Sequence, residues 1–359
     1  MTTKAHKKHH YHSPWNRGLY SLVLLVGVLT AAAPAQAQEA ASQPAPEVPA
    51  VTYKIGRLKI DGSGDYSENN QELNIRAQLR DLFHTHWFVS GEGKLGRDLY
   101  RDYDLTRVGA QAAVGRALDG STDLTASYRL EEVNVFHVSP DATPAYRNAA
   151  GRNTLGILGL SFNRDQRDDS TAATRGTRVQ LTGELAWRGV GSSDNFGRLE
   201  SDFSFYATPW KDLTLVEHLR LGWMEDFGPN DEVPFFERYF VGGSSTVRGH
   251  RGRWLTPRGI DDQFIGGEIE AVNNVEARWP ILKELFHRRL TGAVFFDAGR
   301  AFRRFSDVGE FGYGLGAGLR YAVHCGPIQG VLRADMGFNP DPKEDDSTAN
   351  LHITFGMPF

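Results

Sequence analysis

The sequence predicts an all-β protein, a transmembrane antiparallel β-barrel of about fourteen strands. Two observations carry that prediction: strict two-residue alternation sustained over long segments, and aromatic residues collected near the segment ends. Leu73, Ile75, Ala77 and Leu79 share one face of the clearest early segment, and Asn74, Arg76, Gln78 and Arg80 share the other. Val179, Leu181, Gly183, Leu185 and Trp187 alternate in the same way with Arg178, Gln180, Thr182 and Glu184. Successive strand side chains point to opposite faces, so an apolar face backed by large charged groups suits lipid outside and a polar lumen inside. A soluble β-sandwich also alternates, but its strands usually run about five or six residues. These segments are longer, and Trp187, Trp210, Trp223 and Trp279 sit near their ends, where membrane interfaces collect amphipathic rings.

In order, the segments begin near Tyr53, Leu73, Trp87, Leu105, Asp123, Leu155, Thr177, Arg198 and Leu213, then near Glu268, Leu290, Phe311, Ile328 and Leu351. An even count returns both ends of the barrel to the periplasmic side. The first segment slips phase between Tyr53 and Ile55 and then Leu58 and Ile60, which leaves it bulged or outside the barrel and twelve strands as the alternative count. Glycine normally weakens a strand. Here Gly312, Gly314, Gly316 and Gly318 bare one face only, while Phe311, Tyr313, Leu315, Ala317 and Leu319 clothe the other. The bare inner face leaves room for something to lie against the wall. The closing segment sets Leu351, Ile353, Phe355, Met357 and Phe359 against His352, Thr354 and Gly356, and its aromatic end resembles the recognition signal of outer-membrane barrels.

Residues 1–37 read as a cleaved signal peptide: Lys4, Lys7, Lys8 and Arg17 precede the apolar run from Leu19 to Ala33, and Ala35-Gln36-Ala37 supplies the cleavage pattern. The competing reading is an anchoring helix, but the run is shorter than the roughly 20 residues that span a bilayer. His6, His9, His10 and His12 precede the cut, so metal binding there is not expected of the mature chain. Removing the leader leaves 36 basic against 44 acidic residues, a formal charge of −8, which argues against a nucleic-acid partner. A single cysteine, Cys325, excludes an intrachain disulfide and reads as a packed or lipid-facing residue. After the leader no run of 18 or more apolar residues occurs, a Pro/Ala-rich linker covers residues 38–52, and the barrel is expected over 53–359.

The longest stretch without a strand pattern runs from Gly228 to Phe264, and loops of that length are usually functional or disordered. Its aromatic density, in Pro234-Phe235-Phe236-Glu237-Arg238-Tyr239-Phe240, argues against disorder. Val241-Gly242-Gly243-Ser244-Ser245-Thr246-Val247-Arg248-Gly249-His250 follows. Pro234 to Gly249 resembles the signature loop of the outer-membrane assembly and two-partner-secretion transporter superfamily, the BamA/TamA/FhaC-like bacterial surface antigen barrels. Gly176-Thr177-Arg178-Val179, Asn274-Val275-Glu276-Ala277-Arg278-Trp279-Pro280, Val294-Phe295-Phe296-Asp297-Ala298-Gly299, and Gly314 to Pro327 resemble family segments in the same order. The resemblance covers roughly Trp87 to Phe359.

The resemblance implies a loop folded back into the lumen, with Gly242, Gly243, Val247, Arg248 and Gly249 as its motif and acidic residues of the inner wall, Glu276 and Asp297, as partners of Arg248. Strand parity independently turns both acids inward, opposite Val275, Ala277, Val294 and Phe296. Two departures stand out. The family usually places an aromatic after the Arg-Gly, where this chain has His250, whose imidazole can still stack but anchors the loop differently. Family members also carry periplasmic POTRA domains before a sixteen-stranded barrel, whereas about 15 residues separate the leader from the first segment here, so a barrel-only relative is expected.

The function implied is non-enzymatic insertion or translocation of proteins at the Gram-negative outer membrane. Its partners are outer-membrane lipid, unfolded outer-membrane or secreted clients, and a separate periplasmic chain. The alternative is a channel or structural barrel without assembly activity. An enzyme is not expected, since no Gly-x-Ser-x-Gly elbow, metal-spaced His pair or phosphate-binding Gly-Lys loop occurs, and no cofactor is implied. Asp165, Asp168 and Asp169 read as a solvated charge run at a turn.

Overall fold

The alternation is realised as a single antiparallel sheet in a computed structural model of the chain, which describes residues 57–66, 70–228, 232–281, 290–325, 328–343 and 346–356. Its strands are β1 (Arg57–Tyr66), β2 (Asn70–Arg80), β3 (Trp87–Leu99), β4 (Asp104–Ala117), β5 (Thr122–Phe136), β6 (Gly151–Asp165) and β7 (Gly176–Ala186). They continue as β8 (Phe196–Trp210), β9 (Leu213–Asp226), β10 (Ile269–Pro280), β11 (Leu290–Phe302), β12 (Gly312–Cys325), β13 (Ile328–Phe338) and β14 (Ala349–Gly356). Each strand is hydrogen-bonded to its neighbours in the chain, and among the described residues β1 and β14 end the sheet without pairing to each other. The first segment lies within the sheet, in unbroken register with β2 from Arg57↔Arg80 to Tyr66↔Gln71, which gives fourteen strands rather than twelve. The expected leader (1–37), linker (38–52), first strand position Tyr53 and closing residues Met357 and Phe359 lie outside the described residues, as does the side chain of Cys325.

Parity separates the two faces as a barrel in lipid requires. On β10 and β11, Val275, Trp279, Val294 and Phe296 are exposed, while Glu276, Arg278 and Asp297 are buried. On β14, Leu351, Ile353 and Phe355 all face outward. Contiguous apolar exposure on this scale marks a surface meant for an apolar surrounding. No helix of the described chain is long and apolar enough to cross a membrane, and the strands take that part.

Inside the sheet lies the β9–β10 connection, described at residues 227–228 and 232–268. Phe235, Phe236, Tyr239, Val241, Val247 and Leu255 are buried there, so this loop supplies much of the interior core. The Phe235 ring packs 4.9 Å from Tyr103 and 4.6 Å from Tyr146. Tyr146 rides on a short helix, Pro144–Asn148, in the β5–β6 connection. Proline suits the first turn because its missing N–H would have had no helical partner.

The glycine stripe of β12 explains how the loop reaches the wall. A methyl group on Gly314 would overlap the carbonyl of Arg248, and one on Gly318 would overlap the Asp335 carboxylate. A side chain at Gly314 displaces the loop backbone. Gly314→Val should therefore expose the loop to trypsin at Arg251 and Arg253 and lower the temperature at which the folded gel mobility is lost, through a destabilisation of the roughly 1–3 kcal/mol typical of overpacking. Leu315→Val, on the outer face, should leave both readings close to wild type.

Candidate functional site

The site grows from one loop residue. Gly242, Gly243 and Gly249 adopt φ of 117°, 99° and 99°, left-handed values that favour glycine, and they fold the motif into a tight turn. Within it Gly243 N–H donates to the Val247 carbonyl at 3.2 Å, and Gly242 N–H donates to Thr246 Oγ1 at 2.8 Å. Val247 is buried against β11, and the turn delivers Arg248 to the inner wall, where it is 1% exposed.

Arg248 forks onto Asp297, its Nε 2.8 Å from Oδ2 and its Nη2 2.7 Å from Oδ1, while its backbone N–H donates to Oδ2 at 2.9 Å. Its Nη1 donates to Glu276 Oε1 at 2.6 Å and to Asp335 Oδ2 at 3.1 Å. The guanidinium carbon stands 3.5 Å from the centre of the Phe295 ring. Such charge-assisted, partly bidentate bonds are the strong class, and they replace the hydration that Arg248 has lost. The carboxylates are themselves shared. Arg320 donates to Glu276 Oε1 at 2.9 Å and also bonds Asp335, Arg278 donates to Glu276 Oε2 at 2.7 Å, and Asn274 donates to Asp297 at 2.8 Å.

A second cluster, not anticipated from the sequence, holds the same loop eleven residues earlier. Glu237 accepts from Arg107 Nη1 at 2.9 Å and from Arg198 Nη2 at 2.8 Å, with Arg129 at 3.5 Å. Arg107 and Arg129 also bond Glu131, at 3.0 and 2.7 Å, and Arg198 bonds Glu184 at 2.9 Å. Glu200, on β8 like Arg198, stands 3.9 Å from it.

The loop's two charges meet groups of opposite sign: Glu237 sits among the arginines of β4, β5 and β8, and Arg248 among the acids of β10, β11 and β13.

Of the sequence-derived site residues, the structure brings Arg248, Glu276 and Asp297 into direct contact and places Phe355 on the outer face of β14, away from them. Asp335 was missed although parity marks it, since Leu332, Ala334, Met336 and Phe338 alternate with it on β13. Asp168 and Asp169 are not a merely solvated run: they accept from Thr174 and Arg175 and from Thr171 and Ala172, shaping the β6–β7 turn.

A fourteen-stranded antiparallel barrel with an arginine-bearing loop seated in its interior belongs to the outer-membrane class of β-barrels. The Omp85 superfamily domain matches residues 57–359, and the chain belongs to that superfamily. It is 25% identical over 267 residues to the outer membrane protein assembly factor BamA of Nitratidesulfovibrio vulgaris, covering 73% of this chain and 33% of that protein, so it spans a third of that relative's length. The fold is similar to the crystal structure of BamA from Haemophilus ducreyi lacking POTRA domains 1–3 (TM-score 0.72, 17% identity, 84% of this chain and 64% of that one). It is also similar to CdiB from Acinetobacter baumannii (TM-score 0.55, 15% identity, 84% and 53%).

Removing one partner of a buried ion pair typically costs about 3–5 kcal/mol, because a lone charge remains. Arg248→Ala and Asp297→Ala should each lower the unfolding free energy read from urea titration by that much and expose the loop to protease. The double variant should lose less than the sum of the two, as a double-mutant cycle would read. Glu237→Gln should release the other end of the loop while leaving the Arg248 contacts in place, seen as cleavage confined to residues before Gly242.

Proposed function

We propose that this protein works in the Gram-negative outer membrane, exported on a cleaved leader, as a barrel that assists insertion or translocation of other proteins. The observation that supports this reading is the combination of an interior loop fixed by two buried charge clusters with a sheet that ends on two edge strands. β1 and β14 present backbone N–H and C=O groups along their outer edges, and such edges accept an additional strand. An unfolded barrel or secreted chain offers that strand. The clients are therefore extended segments, the surrounding ligand is lipid, and a separate periplasmic chain delivers the client. The buried aromatic loop also fills the interior, which speaks against an open channel.

Depletion of the protein in its native cell should reduce the folded, heat-modifiable fraction of other outer-membrane barrels, and wild type but not Arg248→Ala should restore it. Unchanged levels of those barrels, together with a steady current through the purified protein in planar bilayers, would establish a channel instead.

A further inference from the structure

The outer wall carries a carboxyl group within its apolar band. On β9, Leu215, Leu221 and Trp223 are exposed, while Thr214, Val216, His218 and Met224 are buried, so the exposed Glu217 belongs by parity to the face that meets lipid. Its partners in register, Phe205 on β8 and Val275 on β10, are exposed apolar residues, as is Phe296 beside Val275 on β11. Trp223 lies six residues along the same strand, and Trp279 lies four residues beyond Val275 in the opposite direction. At about 3.4 Å per residue and the roughly 35–45° tilt usual in such barrels, Glu217 stands roughly 15 Å from one aromatic level and roughly 10 Å from the other, inside an apolar band about 25 Å tall.

Asn273 on β10 shares that face, since Val275 and Trp279 are exposed and Val272, Asn274 and Glu276 are buried. Its Nδ2 donates to Glu217 Oε1 at 3.1 Å. Among the described residues no ion pair holds Glu217, and the outward Arg300 donates instead to the Glu310 carbonyl at the lumen-loop end of the wall. Lipid tails supply neither water nor hydrogen-bond donors, so an ionisable group placed among them is costly and marks a function where it occurs. One amide bond leaves Glu217 Oε2 and the charge of the carboxylate unanswered. The wall beside the pair is low: Ala271, two residues from Asn273, and Ala298, its partner on β11, are short, so another backbone can come close.

A basic side chain on a membrane-embedded segment brings both the opposite charge and N–H donors. A second copy of this chain would bring the same carboxyl to the contact and set like charges together. We infer that the outer faces of β9 and β10 form a docking surface for another outer-membrane protein, whose lipid-facing arginine or lysine pairs with Glu217 beside Asn273. The surface backs directly onto the Arg248 cluster, because Asn274 and Glu276, which bond Asp297 and Arg248 inside, alternate with Asn273 and Val275 outside. A partner seated there grips the wall that seats the lumen loop. The inference rests on the outer-membrane placement of the barrel and is independent of its assembly role.

Two measurements test this. The first is the heat-modifiability midpoint of purified protein in phosphatidylcholine vesicles, with no other protein present. Glu217→Leu should leave that midpoint unchanged or raise it, since leucine suits lipid better. A lower midpoint would make the polar pair part of the barrel's own fold and overturn the docking surface. The second is crosslinking in the native cell, with photoreactive benzoylphenylalanine in place of Leu219 on β9. It should form one adduct with a second outer-membrane protein, absent when the same group replaces Leu130 on β5. Glu217→Leu should cut the adduct yield roughly tenfold or more, the factor carried by one hydrogen bond to a charged group. Glu217→Lys, combined with a glutamate in place of the partner's basic residue at the contact, should restore it. An adduct with a second copy of this chain or with lipid alone, a yield indifferent to Glu217, or a reversed pair that restores nothing would overturn the inference. Fractionation of the same cells reads the outer-membrane placement separately, and the depletion experiment depends on neither result.

Discussion

A guanidinium moved out of water costs several kcal/mol unless attraction and hydrogen bonds replace its hydration. Arg248 meets that condition with two bonds to Asp297, one each to Glu276 and Asp335, and an aromatic face beneath it. Much of the surrounding architecture exists to make those contacts reachable. Strand parity has to turn the three acids inward on β10, β11 and β13. The left-handed glycines have to fold the motif tightly, and β12 has to be bare where the Arg248 backbone passes. A Cβ in the stripe, or a one-residue slip of β11, breaks the same contact by different routes.

The loop is thus held by its ends through charge and along its length by shape. Phe235 and Tyr239 join the wall residues Leu105, Val133, Leu155, Phe196 and Met224 in one buried apolar cluster. Backbone groups of β2 to β13 are paired to a strand on either side, as an apolar surrounding demands. Polar residues therefore gather on the inner face, where they can serve as partners for the loop.

The strands were legible because period-two alternation with long segments has few competing explanations. Twelve of the fourteen begin within three residues of where the alternation starts, and β6 begins at Gly151, ahead of Leu155, because Gly151, Arg152 and Asn153 extend the pairing with β5 although none of them is a large apolar residue. The Arg248 contacts were legible in part: Glu276 and Asp297 carry the inward phase and lie in segments that resemble the family. The Glu237 cluster was not. Arg107, Arg129 and Arg198 are plainly inward, but they converge from β4, β5 and β8 on a residue 130 positions from Arg107, and alternation carries no information about which inward charges meet. The His250 contact was half visible, since His250 stands out where an aromatic is usual, while its partner Asp346 sits in a connection with no pattern at all.

The two buried charges of the loop bear on the order in which the molecule can form. A sheet that curled shut with the β9–β10 connection still outside would leave Arg107 and Arg198 without their bonds to Glu237, and Asp297 without its bonds to Arg248. Premature closure is thereby disfavoured, and the loop has to be inside before the walls meet. Its two charges have opposite sign, so a reversed insertion would set like against like at both ends. The loop thus acts as a proofreading step in the folding of its own barrel, admitting one threading and rejecting an empty or inverted lumen.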